Sequence, residues 1–186
     1  MGAITTCMAG ASALFEKDIK KVVALSTLRQ LGVMFFSLGV GAAGVAFSHL
    51  ISHAYFKAIL FIAAGSVIHG VKDYQDTRKM GARNSSLSFL IGVILVGNLR
   101  LCGLPFISGF YSKDIVVELC LSRSQNFFIF LILITGVALT VGYSCRMALG
   151  IYGAHPKRDR FRQERDASNL IIMGIRVLIL PSVVGG

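Results

Sequence analysis

Long apolar runs constrain this chain more than any other feature. They lie at about 1–15, 20–40, 43–70, 86–121, 126–152 and 169–184. Several approach 20 residues with few charges, the length that crosses a hydrocarbon core of roughly 30 Å. The connections between them alternate in charge. The first (16–21), third (71–83) and fifth (155–166) together carry twelve lysines and arginines, whereas the second (39–44) and fourth (121–125) carry one, Arg123. Positive connections stay on the cytoplasmic or matrix side of a membrane. A soluble helical protein has no reason to sort its cations by alternate loops. The expected fold class is therefore all-α, a polytopic transmembrane helix bundle.

Composition agrees. Charged residues make up 15% of the chain and hydrophobic ones 54%, against roughly 25% charged in an ordinary soluble domain. The net charge of +10 would point to nucleic acid if it formed a patch. Here it sits in the connections, where topology explains it, and no nucleic-acid partner is expected. The four cysteines lie in or beside apolar runs without CxxC or zinc spacing. They read as small buried hydrophobes. The start, MGAITTCMAGASALF, lacks the basic region of a signal peptide. Both ends look cut, so a fragment of a longer protein is expected.

The third segment carries the chemistry. His49, His53 and Lys57 recur at steps of four. On an α-helix each falls about 40° from the last, so the three form one stripe about 12 Å long. Lys57 lies near the middle of 43–70, where an ammonium costs several kcal/mol unless it faces a wet or paired interior. Loss of water makes a lysine's charge depend on its neighbours, and histidine already titrates near neutrality. One helix thus holds three groups able to change charge, in file. A lone membrane histidine reads as a brace for helix contacts; three in register read as a path for protons. His69 closes the same segment near Lys72 and Asp73, at the surface.

The fourth segment is 36 residues long, about 54 Å as one helix, too long for a single straight crossing. Near its middle, CGLPFISGFYSKD crowds Gly103, Pro105 and Gly109 together. Proline removes a backbone donor and glycine tolerates unusual dihedrals. A discontinuous helix near 103–109 is expected. Such breaks survive only inside protein or beside a water-filled cavity, and transporters use them at ion sites. Lys113 and Asp114 follow the break, with Glu118 one turn later. The simpler reading is a proline kink ending in a charge pair.

DIKKVVALST (18–27), HLISHAYFKAILFIAAGSVIHG (49–70), QDTRKMG (75–81) and LCGLPFISGFYSKD (101–114), in this order, closely resemble the NADH-ubiquinone oxidoreductase chain 5 family. These are the distal antiporter-like subunits of mitochondrial respiratory complex I. The resemblance covers nearly the whole chain, and the loop wording is that of an invertebrate version. It implies proton translocation across the mitochondrial inner membrane, driven by remote quinone reduction, next to the neighbouring antiporter-like subunit. It implies a central proton carrier at Lys57, with His49 and His53 beside it, and an exit site at Lys113 and Asp114. Nothing in the sequence marks a redox site: there is no GxGxxG after a strand and no cysteine cluster for iron–sulfur. The resemblance places NADH, FMN, iron–sulfur clusters and ubiquinone on other subunits, with no cofactor bound by this chain.

The departures are as specific. The family chain is about three times longer, and its first broken helix, with a lysine and the glutamate that pairs with it, has no counterpart here. Arg29 and Arg100 sit deep in apolar segments, where arginine is expensive and the family usually has a small or hydroxyl residue. Many invertebrate mitochondria read AGA and AGG as serine and UGA as tryptophan. The chain has no tryptophan, and both arginines are expected to be serine codons read with the standard code. Two other functions compete: a cation/proton antiporter subunit, whose membrane domain shares this helix pattern, and an inactive truncated product. QDTRKMG and FYSKD favour complex I.

Overall fold

The computed structural model describes residues 1–70, 75–77, 85–103, 114–118, 127–153 and 169–184. Within them the chain is helical: α1 (Gly2–Phe15), α2 (Ile19–Gly39), α3 (Ala43–Gly70), α4 (Ser85–Cys102), α5 (Phe127–Gly153) and α6 (Asn169–Val184). Residues 114–118 add a short helical stretch. Among the described residues there is no strand, only an isolated antiparallel bridge between Asp18 and Asp76.

α1 to α5 close a ring. Each packs on the next, α5 returns to α1, and α6 lies against α3. Three stretches are long and apolar enough to cross a membrane: Ile19–Gly39, Ala43–Gly70 and Phe130–Ile151. The turn between α2 and α3 shows why they are antiparallel neighbours. Gly41 takes φ 82°, its N–H bonds Leu38 O at 3.0 Å, and Ala42 N–H bonds Ser37 O at 3.0 Å. This left-handed cap satisfies carbonyls the helix end would leave open, and only glycine adopts it without strain.

At the opposite end, Ile19 N–H donates to Gln75 O (3.1 Å) and Thr77 N–H to Lys17 O (3.2 Å). The third connection thus seals the start of α2, where Asp18 makes no side-chain cap. Gly150, near the end of α5, abuts Thr77 as well. The first and third connections, and the end of α5 from which the fifth departs, therefore share one end of the bundle, the end to which the charge pattern assigns its positives.

Burial differs from that of a soluble domain both inside and at the surface. Ile19, Val22, Leu60, Ala63, Val67, Leu90, Ile94 and Ile175 form an apolar core, yet all of α1–α5 also bury polar side chains: Thr6, Ser26, Arg29, Gln30, His49, His53, Lys57, Asn98, Arg100, Thr140, Tyr143 and Ser144. Large apolar side chains such as Met8, Phe35, Phe47, Val96, Leu149 and Val177 face outward on all six helices. A surface of this kind suits acyl chains, and polar groups inside a membrane bundle face its interior. No aspartate or glutamate among the described residues is buried.

α4 ends at Cys102, and Gly103 takes φ 76°. Its N–H donates to Arg100 O at 3.1 Å. The helix therefore stops at the glycine that opens the expected break. Pro105, Gly109 and Lys113 lie outside the described residues.

Candidate functional site

α2 and α3 build the site between them. On α2, Ser26 and Gln30 are four residues apart and so share a face. α3 runs antiparallel, so the same face meets its residues in reverse order. Gln30 Oε1 sits 3.2 Å from His49 Nε2, both buried. One turn down α2, the Lys57 ammonium donates to Val23 O at 3.1 Å and to Ser26 Oγ. Lys57 stands mid-way along α3, about 20 Å from either end by helical rise, and is 5% exposed.

The imidazoles connect these two anchors. The His49 and His53 rings stack with centroids 6.2 Å apart. His53 is 7% exposed, and its Nε2 has no hydrogen-bond partner among the described residues. All three predicted residues of the stripe are thus buried together on one helix face. His69 is exposed at the end of α3. Asp114 is exposed at the start of the 114–118 stretch, and its predicted companion Lys113 lies outside the described residues.

Chemically, this is a file of exchangeable groups with neutral oxygen acceptors around them. Lys57 can hold a proton against a backbone carbonyl and a hydroxyl. The two imidazoles can accept and pass one along. Gln30 cannot carry a proton usefully, but its carbonyl orients the His49 ring. Ser26 and Gln30 were not anticipated as partners, although the signal was present: a hydroxyl and an amide at i, i+4 in an otherwise apolar segment. Tyr143, buried on α5 beside Ser26 and Arg29, carried no such signal, because only the ring closure brings α5 to α2.

Residues 1–140 match the family described as NADH:quinone oxidoreductase/Mrp antiporter, TM.

The chain belongs to this family.

Within it, the chain is 38% identical over 186 residues to NADH-ubiquinone oxidoreductase chain 5 of Phoca vitulina, covering 100% of this chain and 30% of that protein. It is 40% identical over 183 residues to the same subunit of Anopheles gambiae, covering 98% of this chain and 32% of the relative. Among solved structures it matches a chain of the membrane-bound sulfane sulfur reductase, an archaeal respiratory membrane complex, with TM-score 0.84 and 25% identity over 96% of this chain and 30% of that chain. The chain therefore spans about 30% of the length of these proteins that it matches.

Arg29 and Arg100 both face inward. Arg29 is 1% exposed, with Nε donating to Gly136 O of α5 at 3.0 Å and Nη1 unpartnered among the described residues. Arg100 is 5% exposed, its guanidinium carbon 5.1 Å from the Phe56 ring centroid. A serine at either place would avoid burying a charge. Sequencing the source DNA is expected to find AGA or AGG at codons 29 and 100. A CGN codon at either would make that arginine genuine.

Proposed function

We propose that this chain is the middle-to-late portion of a proton-translocating, multi-pass membrane subunit of respiratory NADH:ubiquinone oxidoreductase, in the mitochondrial inner membrane. The observation that carries the reading is the buried His49–His53–Lys57 file of α3, held by Gln30 and Ser26 of α2. Lys57 is the central carrier. The imidazoles lead from it toward the end of the bundle with the uncharged 39–44 connection, and the positive connections lie toward the matrix. Lys113 and Asp114 serve proton release. The partners are other membrane subunits of the complex, above all the neighbouring antiporter-like one. The electron chemistry, with NADH, FMN, iron–sulfur clusters and ubiquinone, is left to other subunits.

The test is proton movement in vesicles bearing the whole complex. Proton transfer that requires NADH and stops with a quinone-site inhibitor supports the reading. A sodium-dependent pH change indifferent to that inhibitor supports a cation/proton antiporter, the other branch that the family description names. Replacing Lys113 by alanine in the parent subunit is expected to slow proton release by about a hundredfold, the low side of what a positioned acid–base group contributes, with uptake less affected. Stopped-flow signals from dyes on the two sides separate the steps, and slower uptake with normal release would remove Lys113 from the exit.

A further inference from the structure

The ring of Phe56 lies among three groups able to carry positive charge. It is buried, and it meets the His53 ring edge-to-face, centroids 5.2 Å apart at 87°. Lys57 Nζ lies 5.9 Å from its centroid. The Arg100 guanidinium of α4 approaches it to 5.1 Å. Around the same amine stand Val23 O and Ser26 Oγ of α2, all of them neutral. No aspartate or glutamate among the described residues is buried here to balance the charge.

An aromatic face attracts a cation through its quadrupole, most strongly where water is excluded. It does so without taking up a proton. We infer that Phe56 is a positioning residue of the proton path: its ring stabilises positive charge in transit between Lys57 and His53 and holds the two in register, while remaining inert to protonation itself. A carboxylate in the same place would bind the ammonium more tightly and compete for the proton. The ring instead attracts the ammonium without binding its proton, and it touches the imidazole that would receive it. The contacts with His53 and Lys57 come from α3 itself, so the arrangement stands whether residue 100 is arginine or serine.

The inference rests on the proton-path reading, and the test separates the two. Phe56→Leu, Phe56→Met, Phe56→Tyr and Lys57→Met are introduced into the full-length subunit of the assembled complex. Assembly is followed on native gels and proton flux per NADH oxidised in sealed vesicles. Phe56→Leu and Phe56→Met fill the space without a π face and are expected to lower flux by about tenfold. Phe56→Tyr keeps the face and is expected to retain most of the parent flux. Parent-level flux in Phe56→Leu or Phe56→Met overturns the inference. So does a Phe56→Tyr variant that falls as far as these two. Failure of both apolar variants to assemble, with Phe56→Tyr assembling, assigns the ring to packing and also overturns it. Normal flux in Lys57→Met instead defeats the proton-path reading itself.

Discussion

Replacing Lys57 by methionine in the full-length subunit is expected to cut proton translocation by at least about tenfold and leave the complex assembled. The chemical part follows from what methionine lacks. It has no proton to exchange, and a positioned acid–base group contributes two to four orders of magnitude to proton transfer. The structural part follows from where the side chain lies. Lys57 is buried and bonded only to Val23 O and Ser26 Oγ among the described residues. Both acceptors are neutral, so removing the ammonium strands no opposite charge. Methionine is unbranched and fills the same channel of space. Trading a buried charge for an apolar side chain of similar volume is often neutral or stabilising. Measuring the proton-to-electron ratio beside complex abundance checks both halves. An unchanged ratio would refute the central role, and loss of the assembled complex would show that Lys57 holds the bundle together.

Gly32→Val is expected to do the opposite, abolishing assembly without touching any group able to carry a proton. α1 and α2 meet at a glycine pair. A Cβ on Gly32 would stand 2.6 Å from the Thr5 and Thr6 hydroxyls and 2.9 Å from Gly2 O. A Cβ on Gly2 would stand 2.6 Å from Gly32 O and from Phe36 N. Hydroxyls can turn aside, but backbone atoms move only with their helix. Thr5 and the fully buried Thr6 both already donate to Gly2 O, at 2.9 and 2.7 Å, so turning the two hydroxyls aside would break both bonds. Membrane helices use small residues where their backbones approach closely, and overpacking such a contact costs about 3 kcal/mol. In a bundle whose ring closes through α1 on both α2 and α5, tilting α1 also opens the far side. Steady-state abundance of the subunit in isolated membranes is the measurement. Parent-level abundance would mean that the α1–α2 contact yields more readily than its geometry implies. Gly32→Ala is the milder companion and is expected to fall between the two.

These two expectations divide along the line between what a linear chain reveals and what it hides. Five apolar runs coincide with helices to within a residue, whereas the fourth, 86–121, holds α4 only as far as Cys102; such runs are legible because length and charge are local properties. The i, i+4 spacing of His49, His53 and Lys57 placed them on one face for the same reason: helical geometry is fixed by the backbone and needs no partner. The glycine at 103 marked the end of α4 because only its dihedral freedom permits the turn found there.

What the stripe faces was a different matter. Gln30 beside His49 and Ser26 beside Lys57 depend on the register between α2 and α3, which the left-handed turn at Gly41 and the crossing of the two helices set together. Arg29 reaching Gly136 O, and Tyr143 lying beside it, require α5 to return across the ring from more than a hundred positions away. Phe56 looks in the sequence like any other apolar residue of a membrane helix. The helix itself sets the imidazole and the ammonium beside its ring, and only packing adds the Arg100 guanidinium from α4. Sequence determined where the apolar helices run and which groups can hold a proton, because those follow from residue type and local repeat. Tertiary structure alone decided which neighbours those groups have, because contacts between helices depend on how whole surfaces fit and not on any single stretch of chain.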